Sequence, residues 1–285
     1  MTNETKPLSK YYRQPQIYIR FPSGGQFYPP QVVKPTANGE YPVMPMTAVD
    51  ELAFKTPDAM MNGQSTVDVI KSCVPNMKDP WKMVNYDTDT ILLAIRIATY
   101  GETMDMNFNV PNTSETVAHS INLPALLDDI SRQKVDTEFT MKDGLRIAVQ
   151  PLTYRDMTST SLQTFQQQKM YTAIQDSKLS DDDKAKRFND AFRKLTELNA
   201  SIILKNIASI TMTDGTVITD PAHIKEFVDN ANATVIKEIE NKLTDLRGQG
   251  AVKPLKMKAT EEQIKKGAPA SYEVPVTFDT SNFFV

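Results

Sequence analysis

From Ile17 the chain alternates apolar and polar positions, and "IYIRF" has the period of a strand. Ser23-Gly24-Gly25 supplies a turn, and "QFYPPQVV" leads away as a second extended piece. Asn38-Gly39 is a hairpin signal, because both residues accept positive φ. The returning "EYPVMPM" is confined to a sheet edge by Pro42 and Pro45, which cannot donate to a ladder. Helical spacing then takes over. "TAVDELAF" reads as a short helix capped by Thr47, with Asp50 and Glu51 at the positive end of its dipole. "STVDVIKSCV" reads as another, ended by Pro75. "DTDTILLAIRIATYG" is apolar nearly all round and predicts a buried helix, capped by Asp87 or Thr88 and closed by Gly101. Arg96 is the charge among its apolar residues, placed to snorkel or to meet a carboxylate.

Residues 104–122 read as two strands around a loop, followed by a short helix at Leu123–Ile130. "DTEFTMKDGLRIAVQPL" predicts a hairpin with Asp143-Gly144 at its tip. A long helix starts near Thr153, and Ser180 followed by Asp181–Asp183 starts another. Along the latter, Phe188, Phe192, Leu195, Leu198 and Ile202 recur at three or four residues and mark one packed face. "SITMTDGTVIT" predicts a small hairpin. Helices follow from Pro221 and from about Thr234, the second with Ile236, Ile239, Leu243 and Leu246 on one stripe.

The expected fold class is α+β: N-terminal β-hairpins with short helices, then a mainly helical half with small hairpins. The pattern divides the chain into a flexible basic arm at 1–16, an α+β domain at 17–150 and a mainly helical domain at 151–248. A Lys-, Gly- and Ala-rich mobile linker with a docking tail fills 249–285.

Composition narrows the function classes. The 285 residues carry 24% charged side chains and a net charge of -3, against the basic balance of a nucleic-acid binder. No stretch of eighteen apolar residues predicts a membrane span, and the polar start lacks the apolar centre of a signal peptide. The single cysteine, Cys73, allows no intrachain disulfide and fits a reducing compartment. It reads as a small buried hydrophobe. Fourteen methionines and eighteen prolines suit adaptable packing, in a core or against partners.

No catalytic, cofactor or metal-ligating set emerges. His119 and His223 have no Cys or His at ligand spacing, and the G-x-S-x-G elbow is absent. The acidic pairs read as caps and first-turn acids, and the run at Asp181–Asp183 lacks a calcium-loop pattern. In "RFPSGGQFYPP", Gly25 is followed by Gln-Phe-Tyr, where a phosphate loop needs Lys and a hydroxyl. Rigid aromatics around a glycine turn suit a protein contact. The candidate partner-binding residues there are Phe21, Gly24, Gly25, Phe27 and Tyr28, with packing of the three aromatics on their own domain as the alternative. Phe283, Phe284 and Val285 form an apolar chain end and are candidates to dock on another subunit or back on the fold.

Four elements in order, Pro22–Tyr28, Met46–Glu51, Thr56-Pro57 and Ser72–Val74, resemble the baseplate hub and hub-assembly proteins of T-even-type contractile-tailed bacteriophages. The likeness covers roughly residues 20–130. Some relatives carry cysteine pairs in a small ribbon where this chain has "NFNVPNTSETVAHSINLPALL", so no zinc site carries over. The Asn109–Asn112 turn is left to hold that hairpin. The resemblance implies a non-enzymatic component of the tail baseplate, assembled in the host cytoplasm. Its partners would be other baseplate and tail proteins, in several copies of a symmetric assembly. It also implies an alternative, an assembly factor that leaves before the virion matures. A tail-associated cell-wall hydrolase is a third reading, supported only by scattered acids and the two histidines.

Overall fold

The computed structural model describes residues 8–55, 62–175, 180–249 and 251–276. The fold is α+β, as the alternation of periods predicts, and it is built around two hydrophobic cores.

The first core begins with β1 (Ile17–Ile19) paired antiparallel to β2 (Tyr41–Val43), with Tyr18 opposite Pro42. The expected second extended piece is not a strand. Residues 22–32 run as successive turns, and the segment joins a ladder only at the single bridge Val33–Met77. Pro29 and Pro30 have no N–H to give, which leaves this stretch poorly suited to pairing. The Asn38-Gly39 turn therefore sits inside a long β1–β2 connection.

Helix α1 (Ala48–Phe54) starts as predicted. Thr47 accepts from the Asp50 N–H while the Asp50 carboxylate accepts from the Thr47 N–H, a reciprocal cap. Helix α2 (Gln64–Cys73) and a short 3-10 turn at Pro80–Lys82 lead into α3 (Asn85–Tyr100). α3 starts before its expected cap. Val84 holds the N-cap position, while Asp87 and Thr88 lie in the first turns and are buried. β3 (Thr103–Asn109) and β4 (Thr116–Asn122) form the expected ribbon, turned by Asn112 at φ 61°. α4 (Leu123–Ser131) lies against α3 and is capped by Asn122. Ile70, Cys73, Ile91, Leu93, Ile95 and Leu123 are fully enclosed at the centre.

The second core rests on a four-stranded antiparallel sheet. Its order is β5 (Glu138–Thr140), β6 (Arg146–Val149), β7 (Ile207–Thr211) and β8 (Val217–Ile218). Ile147 and Ile210 lie opposite each other and point inward. Two long helices interrupt that sheet between β6 and β7: α5 (Tyr154–Gln175), and α6 (Asp181–Asn206) with Ser180 at its N-cap. α7 (Pro221–Asn230) and α8 (Ala233–Arg247) complete the core with Ile224, Ile239, Leu243 and Leu246.

Segment 249–272, read from composition as a mobile linker, is ordered where it is described. β9 (Leu255–Lys258) pairs antiparallel with β10 (Ser271–Val274), and α9 (Glu261–Lys265) sits between them. This hairpin returns to the first core. Tyr272, Val274 and Val276 are buried there, and Leu255 and Met257 pack against it. The lysines of β9 occupy the alternate, outward positions, so composition hid a period-2 strand.

Candidate partner-binding site

The turn-rich loop is fastened from beneath by α3. The Ser23 N–H donates to Asp87 Oδ1 at 2.9 Å. The Ser23 hydroxyl and the Tyr28 hydroxyl both donate to Asp87 Oδ2, at 2.6 and 2.7 Å. Tyr28 Oη in turn accepts the Val84 N–H at 3.0 Å, and Ser23 Oγ accepts the Gly25 N–H at 3.1 Å. Three loop groups thus converge on one enclosed carboxylate. Burial pushes the Asp87 pKa up to about 6, and the bonds from Ser23 and Tyr28 pull against that rise. Beside Asp87, burial and the neighbouring carboxylate raise the Tyr28 hydroxyl well above its usual value.

Aromatic contacts complete the anchor. Phe21 stacks on Tyr41 with ring centres 4.3 Å apart and meets Tyr28 edge-on at 5.7 Å. Gly24 and Gly25 take φ of 64° and 76°, a region that an L side chain adopts at a cost. These glycines allow the chain to reverse twice over the carboxylate.

The structure therefore separates the five loop residues singled out in the sequence. Phe21 is enclosed in the first core, and Tyr28 is half-buried with its hydroxyl on Asp87. Gly24 is exposed, and Gly25 and Phe27 are partly so. Phe27 lines a shallow groove of about 220 Å³ with Pro29, Lys82, Val84, Gln150 and Pro151. The two units are stitched beside it. The Asn85 N–H donates to the Leu152 carbonyl at 3.0 Å, and the Tyr154 N–H donates to the Met83 carbonyl at 2.7 Å. The Arg155 guanidinium lies 4.9 Å over the Trp81 ring. Phe283, Phe284 and Val285 lie outside the described residues.

A second tether comes from the segment read as a free arm. Arg13 donates to the carbonyls of Pro45 and Ser72 at 2.7 and 2.8 Å, to the Ser72 hydroxyl at 2.7 Å and to Asp50 at 3.2 Å. One guanidinium thereby joins the segment that follows β2 to α1 and α2. Residues 1–7 of that arm lie outside the described residues.

The groups with reactive chemistry are placed apart. His119 is exposed on β4, and His223 is exposed on α7, 4.0 Å from Asp220. Cys73 is enclosed, and burial pushes its thiol up to about 12, so it holds a proton at neutral pH. Among the described residues no three His, Cys, Asp or Glu side chains come together as a metal site would need. Arg96, expected to snorkel or find a carboxylate, does something else. It is enclosed with its guanidinium 4.4 Å over the Tyr100 ring, and its Nε and Nη1 make no hydrogen bond. No helix among the described residues is long and apolar enough to cross a membrane.

The sequence of this chain matches a family over most of its length. The profile of proteins described as T4 bacteriophage base plate protein matches residues 17–266, from β1 through α9 and across both cores. The chain belongs to the T4 bacteriophage base plate protein family. No curated protein and no solved structure matches it. In this baseplate protein the match includes the Asp87 anchor, the Arg13-bound segment after β2 with α1 and α2, and the helical second unit. It is thus longer than the likeness to residues 20–130 read from motifs alone.

Sequence reasoning did not single out Asp87 or Arg13 as tethers. Both act across more than 30 residues of chain, a distance over which no spacing rule operates.

Proposed function

We propose that this baseplate protein is a non-enzymatic structural component of the inner baseplate or hub of a contractile tail, binding other tail proteins during assembly and remaining in the virion. The family match across both cores carries the reading. The geometry adds to it. Among the groups with shifted titration, Asp87 and Cys73 are enclosed, and Asp87 with the half-buried Tyr28 holds the glycine loop to the helix beneath it. The partner contacts we assign are the Phe27 side of the glycine turn, beside the seam between the two units, and the Phe283-Phe284-Val285 end. Assembly in the host cytoplasm, before the virion is released, belongs to the same reading.

Quantitative mass spectrometry of purified virions tests it. Stoichiometric presence with the tail proteins is the expected result. Absence from virions that nevertheless need the protein to form would assign it instead to an assembly factor that is lost.

A further inference from the structure

Asp87 and Arg96 are charged side chains of α3 that the fold encloses, at 0% and 7% exposed. They are treated differently. Asp87 accepts three hydrogen bonds. Arg96 makes none through Nε or Nη1, and solvent reaches neither atom. A buried carboxylate relieves such a position by taking a proton. A guanidinium keeps its charge at neutral pH even where burial lowers its pKa, as it does here. Enclosed N–H groups on a cation, left without acceptors, oppose folding more than neutral ones do.

Little within the chain offsets this. The Tyr100 ring lies 4.4 Å from the guanidinium carbon, a cation–π contact. That contact occupies the face of the guanidinium and leaves the in-plane N–H groups unused. The Tyr100 oxygen offers no negative charge. Burial and a hydrogen bond to Glu51 push the hydroxyl up to about 12, so it keeps its proton and directs it at Glu51. Among the described residues no carboxylate pairs with Arg96. Arg13 shows how this chain satisfies a guanidinium that only ties segments together. It reaches two carbonyls, a hydroxyl and a carboxylate.

Arg96 sits one turn from the end of α3, where α1 lies alongside. Thr99 Oγ1 accepts the Met46 N–H at 3.0 Å, and Glu51 of α1 accepts from Tyr100. In sequence, Val49 and Leu52 stand on either side of Glu51, 74% and 69% exposed. The half-buried Tyr100 is the ring laid over the guanidinium.

We propose that Arg96 is a docking site for the carboxylate of an Asp or Glu side chain from a neighbouring protein, admitted when the Tyr100 ring turns aside. Three properties select that ligand. Nε and Nη1 belong to different forks of the guanidinium, so a planar carboxylate meets an unpaired N–H on whichever fork it takes. A single positive charge matches a single negative one, whereas a phosphate would bring its second charge beside Glu51. The exposed Val49 and Leu52 suit the apolar side chains that a protein segment carries and a free anion lacks. The carboxylate site does not rest on the baseplate reading; its source in another tail protein does.

The full chain, labelled with nitrogen-15 at arginine, tests the site through the Nε signal of Arg96, assigned by its loss in Arg96→Lys. The probes are N-acetylglutamate amide, the neutral N-acetylglutamine amide and inorganic phosphate, at matched ionic strength. The expected result is a saturable shift with the glutamate compound, none with the glutamine compound, and weaker binding of phosphate. No shift with the glutamate compound, or phosphate bound as tightly, overturns the proposal. Arg96→Met then separates docking from a structural role. The isolated variant melts at or above the wild type, because an uncompensated buried charge is gone. Its incorporation into virions falls at least about tenfold, as for loss of a central interface residue. A melting temperature below that of the wild type, or unchanged incorporation, overturns the proposal. If the wild type is itself absent from virions, the baseplate reading fails and the nitrogen-15 titration still decides the carboxylate site.

Discussion

Tyr28→Phe removes one oxygen and leaves the ring in place. That oxygen does two things: it donates to Asp87 at 2.7 Å and accepts the Val84 N–H at 3.0 Å. A hydrogen bond to an ionised carboxylate contributes about 1.5–3 kcal/mol, and a buried N–H left without a partner costs about 1–3 kcal/mol. The expected loss at pH 7 is therefore about 3–5 kcal/mol. The substitution also has a pH signature. Asp87 titrates near 6 in the folded chain against about 3.9 unfolded, so the folded state holds more protons between those values. Stability from this group accordingly falls as pH rises from about 4 to about 6. Without the Tyr28 hydroxyl, which lowers the Asp87 pKa, that pKa moves further up. The variant is then hurt less at pH 5, where Asp87 is largely protonated, than at pH 7. Urea unfolding of both chains at the two pH values, followed by circular dichroism, measures the difference. A loss under about 1 kcal/mol, equal at both pH values, would refute the account of the loop as a structure tied down by Asp87.

Arg13→Ala removes the guanidinium that joins the segment after β2 to α1 and α2. We expect a loss of about 2–3 kcal/mol, and faster proteolysis near residues 8–16 than in the wild type. Cys73, enclosed and protonated, should resist iodoacetamide in the folded chain and react promptly once it is unfolded in urea; rapid native labelling by mass spectrometry would contradict its placement. Tyr272→Ala should destabilise the first core by about 3–5 kcal/mol in a thermal melt, although it lies far along the chain in a lysine-rich stretch.

Local rules were legible in the sequence wherever a residue acts on its own neighbours. Thr47 and Ser180 cap the helices that follow them, and Asp143-Gly144 turns its hairpin, because each effect spans two or three residues. Asp87 resembles those caps in sequence, yet it lies inside a helix and holds a loop 64 residues away. Nothing in its surroundings distinguishes the two roles, since the deciding partners are brought up by folding. The return of residues 255–276 to the first core was hidden for a related reason. Lysine raised the polarity of the stretch, while the apolar residues that matter, Leu255, Met257, Tyr272, Val274 and Val276, keep a period of two. Phe192 fits the helical stripe but stands outside the packed seam, where Ala191 is the buried residue. A stripe marks which residues seek cover and does not say whether this chain supplies it. The assignment of the glycine loop was half legible: the turn is there, and the aromatics of Phe21 and Tyr28 face inward.

The central claim is residence in the baseplate. A cryo-electron microscopy map of the intact tail tests it most directly. The account predicts density in the inner baseplate or hub that fits both cores, with the Phe27 side of the glycine loop against a neighbouring protein. A complete map in which every density in that region belongs to other chains would contradict it.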